Sequence, residues 1–325
     1  MLDVLKPGLE TSIQELPGRI GFWEQGFPPS GPVDAWSFRL ANLLVGNDRD
    51  AAALECQFIG PTLRFQSAAR VAITGADMTP TLDSAPIAAW TTIPVKPGQV
   101  LALGPAKIGA RAYVAVSGGI DTPPVLGSRA TFHMAGVGGI GGYALMAGQA
   151  VPIGPTTAGT CWTVREDCRP MINGAKRWAI EAMRGPNDDW LDDAAIERFF
   201  GSDWAVQTKS SRTGIRLTGP AFSFSRRAYD KRPEHGQDPS NILDHGYPFG
   251  AVNLAGQTPI ILINDAPSTG GFINPFTVVT AAFWKLGQAR PGDALRFTEV
   301  SLDEAYELRR RLDRICMPSS LTPVS

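Results

Sequence analysis

Short apolar segments separated by glycine- and proline-rich turns run through the whole sequence and limit the folds open to it. The 325 residues include 35 glycines and 27 prolines, which interrupt helical and extended runs. Seven segments have the composition of short strands: 70–75, 111–116, 162–165, 204–208, 215–218, 260–263 and 295–300. This pattern predicts a mainly β fold rather than alternating strand–helix units.

Capping signals predict a few helices around this β structure. Asp34 can cap a first helix that ends at Gly46, and Ser301 with Glu304 forms a capping box before a helix near the C-terminus. Another helix is expected over 192–200. The elements together predict a mixed β-barrel architecture with peripheral helices.

Chain length and a weak internal repeat both indicate two domains. A chain of 325 residues is longer than one average domain. In the first half GPTLRF precedes PGQVLAL, and in the second half GPAFSF precedes PGDALRF, in the same order. We therefore expect two similarly built β domains over 1–165 and 177–325, with a polar linker at about 166–176.

Charge and composition exclude several classes of function. The net charge of −1 provides no field that would attract nucleic acid or an acidic membrane surface. No apolar run approaches about 18 residues, and the first residues lack a secretory pattern, so a cytoplasmic protein is expected. The four cysteines lack CxxC spacing and the three histidines lack paired spacing, which predicts reduced thiols and no metal site.

Three nucleotide-binding or catalytic motifs lack their structural context. Gly136, Gly138 and Gly141 have GxGxxG spacing, but no clear strand precedes them. Ser117 follows a plausible strand, yet two prolines occupy the place of the helix that a nucleophile elbow needs. No P-loop sequence is found, so any ATP is expected to be used by a partner.

The segment over 239–293 is the strongest candidate for a site. The apolar strand at 260–263 is followed by polar and glycine residues that predict a turn. Asp265 can orient a donor or act as a base there. Successive backbone N–H groups of the turn can form an anion-binding nest, from Ser268, Thr269, Gly270 and Gly271. The alternative is a connecting turn with no ligand.

Long sequence strings along nearly the whole chain resemble one protein family. They are GFWEQGFPPSGPVDAWSFRLANLLVGN at 21–47, ALECQFIGPTLRF at 53–65, SGGID followed by PPVLGSRATF at 117–132, and SSRTGIRLTGP at 210–220. The chain resembles the allophanate hydrolase subunit 2 or KipA family. RTGIRLTGP, PSNILD and PSTGGF are more similar to the carboxyltransferase domain of urea carboxylase than to the third subunit of ATP-dependent 5-oxoprolinase.

The resemblance implies a fold of two cyclophilin-like β-barrels and a function in carboxyl transfer. The carboxyl group would pass from carboxybiotin to a urea-like or amide nitrogen, together with a subunit-1 (KipI-like) partner. Biotin would be carried on another domain or polypeptide, and a biotin carboxylase would use the ATP. Two alternatives stay open: a 5-oxoprolinase subunit that helps to open a lactam, and a non-catalytic KipA-like regulatory module.

Carboxyl transfer needs groups that hold a carboxylate and stabilise oxyanion charge. Arg212 and Arg129 offer guanidinium groups for a carboxylate or a ureido oxygen, and an ordinary ion pair is the alternative for each. Three further residues are expected to contact substrate: Ser30, Asn42 and Glu55. For Ser30 and Asn42 the alternative is a turn and helix cap, and for Glu55 a paired residue at a strand end.

The chain differs from the family pattern at three positions. Tyr143 stands where members often have arginine, and Gln149 where they often have aspartate. Leu243 replaces a histidine that usually follows PSNI in urea carboxylases. These differences leave open another amide, an amine such as a guanidine-like compound, or a subunit without catalytic activity.

Overall fold

The computed structural model describes residues 1–156 and 159–324. In that part of the chain the strands, numbered in chain order, are β1 Leu2–Lys6, β2 Glu10–Gln14, β3 Ala53–Gln57, β4 Thr62–Phe65, β5 Ala69–Asp77, β6 Thr81–Leu82, β7 Ala85–Pro86, β8 Thr92–Val95, β9 Val100–Ala102, β10 Ile108–Val116, β11 Ala150–Val151, β12 Trp162–Val164, β13 Arg177–Arg184, β14 Asp203–Val206, β15 Gly214–Thr218, β16 Asn241–Gly246, β17 Ala251–Ala255, β18 Thr258–Leu262, β19 Thr269–Phe272, β20 Phe276–Val278, β21 Ala294–Glu299 and β22 Leu321–Pro323. The α-helices are α1 Ala35–Leu44, α2 Asp193–Gly201, α3 Arg226–Tyr229, α4 Phe283–Gln288 and α5 Leu302–Ile315.

These elements confirm the predicted mainly β fold and its helices. Each of the predicted strand segments overlaps a strand of the structure. Asp34 accepts a hydrogen bond from the backbone N–H of Ser37 at the start of α1, and Glu304 accepts from the backbone N–H of Ser301 before α5. The helix expected over 192–200 is α2.

The chain forms two compact units. The first contains Met1–Phe22, Pro29–Gly174 and Arg311–Ser325, and the second contains Trp23–Pro28 and Ala175–Arg310, in both cases over the described residues. The expected division into domains 1–165 and 177–325 stays a prediction.

The first unit is built from two sheets and one packed helix. One sheet has the order β2-β3-β10-β5-β8 and the other β11-β1-β4-β9-β6-β7. Apolar side chains from both sheets share one buried cluster, including Leu2, Leu63, Ile73 and Val114. Helix α1 packs a second apolar cluster against the five-stranded sheet. Burial of these alternating apolar residues stabilises the layers.

The second unit contains a closed seven-stranded barrel with a two-stranded ribbon beside it. The barrel order is β13-β20-β17-β18-β15-β14-β21, and closure leaves no free sheet edge. Phe199 from α2 stacks on Phe276 with ring centroids 3.7 Å apart, which anchors the helix to the barrel core. Strands β16 and β19 pair with each other outside the barrel, and we call this pair the β16–β19 ribbon.

Candidate functional site

A cleft of about 320 Å³ lies in the second unit between the barrel and the β16–β19 ribbon. On β15, Ile215 and Leu217 are buried while Arg216 is exposed, so the strand turns Arg216 away from the barrel interior. The cleft is lined by barrel residues Gly214, Arg216, Asn253, Ile260 and Leu262, by Lys209, Ser211 and Thr213 before β15, and by Tyr247, Pro267, Thr269, Gly270, Gly271 and Phe272.

Two buried polar side chains in this lining carry the hydrogen-bonding chemistry. Tyr247 and Asn253 are each 4 % exposed. The Tyr247 hydroxyl oxygen accepts from the backbone N–H of Phe272 at 2.7 Å, and the Asn253 side chain lies close enough to affect the pKa of that hydroxyl. Asn253 Oδ1 is buried and has no hydrogen-bond partner among the described residues.

Tyr247 contributes a buried hydroxyl to the lining of the cleft, and Asn253 contributes a buried amide. Burial raises the pKa of Tyr247, so its hydroxyl keeps its proton at neutral pH. The Phe272 N–H donates to the hydroxyl oxygen, which leaves the hydroxyl hydrogen for another partner. Asn253 Oδ1 is a buried acceptor near it, without a donor among the described residues. An amide or ureido group, with its C=O and N–H, is complementary to such a pair.

The turn predicted over 264–271 is present at 264–265 but is wrong for its last three residues. Thr269, Gly270 and Gly271 lie in β19 and pair with β16, with His245 opposite Gly270. Neither glycine has a positive φ angle, so the backbone does not form the predicted nest. Cross-strand pairing overrides the turn preference of a glycine pair. All three residues nevertheless line the cleft.

Gly270 is needed because of its position against Tyr247. A Cβ atom at Gly270 would lie 2.6 Å from the Tyr247 ring. Ser268 holds the same tyrosine from its backbone, because the Ser268 carbonyl accepts from the Tyr247 N–H at 2.8 Å. The ribbon therefore lies directly on Tyr247. This close approach is possible because Gly270 has no side chain.

Arg212 and Asp265 form a buried ion pair next to the cleft. Arg212 Nε lies 2.8 Å from Asp265 Oδ2, and Arg212 Nη2 lies 3.3 Å from Asp265 Oδ1. Their side chains are 5 % and 4 % exposed. The Asp265 N–H also donates to the Arg212 carbonyl at 3.0 Å. The pair thus ties the segment before β15 to the segment after β18. This geometry favours a positioning role, and the predicted catalytic roles stay untested predictions.

Glu55, a predicted substrate contact, belongs to a buried network in the first unit. Its Oε2 accepts from the Tyr113 hydroxyl at 2.8 Å and from the Val33 N–H at 2.9 Å. Arg111 Nε lies 3.6 Å from Glu55 Oε1. Burial, together with the negative charges of Glu55 and Asp34, raises the pKa of Tyr113 well above its ordinary value. The network joins β3, β10 and the start of α1.

Ser30 and Asn42 also have structural surroundings in the first unit. Ser30 is buried with a φ angle of 60°, in the tight segment before α1. The Asn42 amide donates to the Ala51 carbonyl at 2.8 Å, and its Oδ1 accepts from Asn47 at 3.0 Å. Asn42 thereby holds the end of α1 in place. Substrate contact by either residue stays a prediction.

Arg129 is in the first unit, whereas Arg212 and Asp265 are in the second. Its Nη2 lies 3.1 Å from Asp121 Oδ1, and its backbone N–H donates to Glu15 Oε1 at 2.6 Å. The ion pair that the sequence left as the alternative is therefore present. The predicted role in carboxylate binding stays a prediction.

Sequence reasoning missed the polar residues that distinguish the cleft. Asn253 was detectable in principle, because it stands between Val252 and Leu254 in a strand whose apolar residues face the barrel core. Tyr247 follows β16 and carries no such signal. Lys209 and Arg216 had no pattern that separated them from ordinary surface cations.

Metal ligation and membrane insertion find no support in the described residues. No group of histidine, cysteine or carboxylate side chains in residues 1–156 and 159–324 is arranged to hold a metal ion. None of the helices in the same ranges has both the length and the apolar character that crossing a membrane requires.

Comparisons with known proteins agree on one family. Residues 25–299 match the family described as carboxyltransferase domain, subdomain A and B. The chain is 37% identical to urea amidolyase of Saccharomyces cerevisiae over 99% of its own length, but spans only 19% of that protein. It is 35% identical to a 5-oxoprolinase subunit of Escherichia coli, over 97% of this chain and 96% of that protein.

A solved structure shows the same relationship. The crystal structure of the K. lactis urea amidolyase matches 100% of this chain and 20% of that one, with a TM-score of 0.93 and 38% sequence identity. This match supports the mainly β fold described above. From the family match and these relatives, the chain belongs to the carboxyltransferase domain family, subdomains A and B.

Proposed function

We propose that this chain is the carboxyltransferase component of a biotin-dependent enzyme that carboxylates a nitrogen of a urea-like or other amide substrate. Family membership over 25–299 and the identity to urea amidolyase support this proposal. The cleft of the second unit is the place where we expect the amide to bind.

One observation carries the assignment of the cleft: Asn253 Oδ1, near the Tyr247 hydroxyl, is buried without a hydrogen-bond partner among the described residues. A buried acceptor without a donor costs about 1 to 3 kcal/mol, and a ligand N–H that reaches it recovers this free energy. Sites that hydrogen bond a ligand strongly reject analogues that lack the matching group. The pair therefore selects a ligand with adjacent N–H and C=O groups.

The same two residues can assist carboxylation of a nitrogen. Negative charge develops on the carbonyl oxygen of an amide as its nitrogen loses a proton, and the Tyr247 hydroxyl can donate a hydrogen bond to that oxygen. Asn253 Oδ1 can orient the amide through its N–H. The Arg212–Asp265 pair holds the adjoining segments at the cleft.

Biotin and ATP enter through other polypeptides in this proposal. Carboxybiotin supplies the carboxyl group when bound, and its ureido ring presents the same C=O and N–H groups that Tyr247 and Asn253 complement. We propose a subunit-1 (KipI-like) partner, a biotin carrier and a biotin carboxylase that uses the ATP, all in the cytoplasm.

A second candidate is a component of an ATP-dependent 5-oxoprolinase. The observation in its favour is the match to the Escherichia coli 5-oxoprolinase subunit, which covers nearly the whole of both chains. A lactam also places an N–H beside a C=O, so the same cleft suits it.

Purification of the native complex separates the two candidates. We expect a biotinylated component, a subunit-1 protein, and ATP-dependent incorporation of labelled bicarbonate into urea, guanidine or another amide. A complex without a biotinylated component that opens 5-oxoproline would support the second candidate and contradict the first. A complex that binds its partner but turns over none of these substrates would support a regulatory function.

A further inference from the structure

Two cations at the rim of the cleft make no ion pair with any described residue. Lys209 lies before β15 and Arg216 on β15; both side chains are exposed and both line the cleft. Three other exposed arginines of the second unit are paired: Arg177 with Asp203, Arg184 with Glu299, and Arg226 with Asp230. Among the residues that the structure describes, the cleft lining contains no acidic side chain.

The uncompensated charge and the buried amide chemistry lie in one cavity. Two positive charges at the mouth of a partly enclosed cleft raise the local concentration of anions. An arginine fork suits a carboxylate, and lysine adds a compact charge beside it. Asn253, which is 4 % exposed with Oδ1 unpartnered among the described residues, lies in the same lining. The lining therefore offers an amide-binding part and an anion-binding part to one ligand.

We propose that Lys209 and Arg216 form a carboxylate-binding subsite, so that the cleft takes a ligand with an amide at Tyr247 and Asn253 and a carboxylate at the rim. The inference rests on the proposed function, because it treats the cleft as the amide site. It adds that the ligand bound in the cleft carries a negative charge, whereas urea is neutral.

The carboxylate has two chemical sources. The substrate amide can carry its own carboxylate, or the carboxylate can be the transferred group. In the second case the carboxyl group moves from the biotin nitrogen to the amide nitrogen while the amide proton moves the opposite way. The product then carries a carboxylate one atom away from its amide carbonyl carbon, whereas a carboxylate of the substrate itself has no such fixed spacing.

Calorimetric titration of the full chain tests the subsite without ATP, biotin or a partner. Malonamate carries an amide and a carboxylate separated by one carbon, and malonamide is its neutral counterpart of nearly equal size. We expect malonamate to bind about fivefold or more tightly than malonamide. Lys209→Gln and Arg216→Gln should each weaken malonamate binding about fivefold and leave malonamide binding unchanged. Arg226→Gln, at a paired arginine outside the cleft lining, should change neither.

A third ligand separates the two sources of the carboxylate. Succinamate has one more carbon between its amide and its carboxylate. Tighter binding of malonamate supports the transferred group, and tighter binding of succinamate supports a carboxylate of the substrate itself. Three outcomes would overturn the subsite. They are equal binding of malonamate and malonamide, unchanged malonamate affinity in the two glutamine variants, and no binding of any of the ligands. The native complex can still carboxylate an amide in that event, so the proposed function is tested separately.

Discussion

Each unit buries a polar network on its β-structure, and the two networks differ in whether the acceptor side chain, Glu55 or Asn253, receives a hydrogen bond from a described residue. In the first unit Glu55 accepts from Tyr113 and from a backbone N–H, with Arg111 beside it. In the second unit the network of Tyr247 leaves Asn253 Oδ1 without a donor among the described residues. A cavity adjoins the second network.

The difference separates groups that hold the fold from groups that can bind a ligand. Buried polar atoms in folded proteins nearly always have partners, and an exception requires an explanation. Glu55 needs no such explanation, because neighbouring groups donate hydrogen bonds to its carboxylate. Asn253 does, and in our proposal a ligand amide supplies the donor that the described residues lack. Functional sites commonly sacrifice stability in this way.

The largest expected effect tests the network of the first unit. Glu55→Ala removes the partner of buried Arg111 and two hydrogen bonds, so we expect the free energy of unfolding to fall by about 3 to 5 kcal/mol. Urea denaturation followed by tryptophan fluorescence measures this change. A stable variant that has lost carboxyl transfer would instead assign Glu55 to the substrate.

The buried ion pair beside the cleft gives the next effect. Arg212→Ala leaves Asp265 buried without its charged partner and should lower the free energy of unfolding by about 3 kcal/mol. The double variant Arg212→Met with Asp265→Leu removes both charges and should recover most of that stability. If the pair only positions the cleft, the double variant also regains part of the transfer rate. A stable double variant with no transfer would identify one of the two as catalytic.

Tyr247→Phe tests the donor of the cleft. The hydroxyl hydrogen is lost and the Phe272 N–H loses its acceptor, so we expect carboxyl transfer to fall about tenfold to a hundredfold. The free energy of unfolding should fall by about 1 kcal/mol. Steady-state kinetics of the reconstituted complex measures the first change and urea denaturation the second. An unchanged kcat/KM would remove the Tyr247 hydroxyl from the reaction.

The smallest effect concerns how closely the ribbon lies on Tyr247. Gly270→Ala places a Cβ atom 2.6 Å from the tyrosine ring, so the ribbon must shift, at a cost of about 1 to 2 kcal/mol. The affinity of the Gly270→Ala variant for amides should fall by less than that of the Tyr247→Phe variant. Gly201→Ala is the matched control, because a Cβ there meets no atom within 4 Å. Equal behaviour of the two alanine variants would contradict the close approach.

The fold was largely predictable because its signals are local. Apolar runs bounded by glycine and proline located the strands, and Asp34 and Ser301 located two helix starts. The site was predictable only in part. The segment after β18 was singled out as a candidate site and does line a cleft, but its pairing with β16 depends on residues more than twenty positions away and made a strand of part of the expected turn.

The polar partners of each candidate depend on tertiary contacts that sequence patterns do not contain. The sequence singles out polar residues such as Glu55 and Asn42. It does not show whether neighbouring groups in the fold form their hydrogen bonds. Asn253 is less conspicuous, yet its Oδ1 lacks a donor among the described residues. Burial and hydrogen-bond satisfaction therefore had to come from the structure.

The substitution Asn253→Leu tests the central claim most directly. Leucine replaces a polar group whose Oδ1 has no donor among the described residues, in the same lining as Ile260 and Leu262. We therefore predict a free energy of unfolding within about 1 kcal/mol of the unmodified protein, or higher. We predict that kcat/KM for carboxylation of the amide by the reconstituted complex falls about a hundredfold. Asn42→Leu, at an amide whose partners are satisfied, should destabilise the protein instead. Unchanged kcat/KM in a folded Asn253→Leu variant would contradict the assignment of this cleft to the amide substrate.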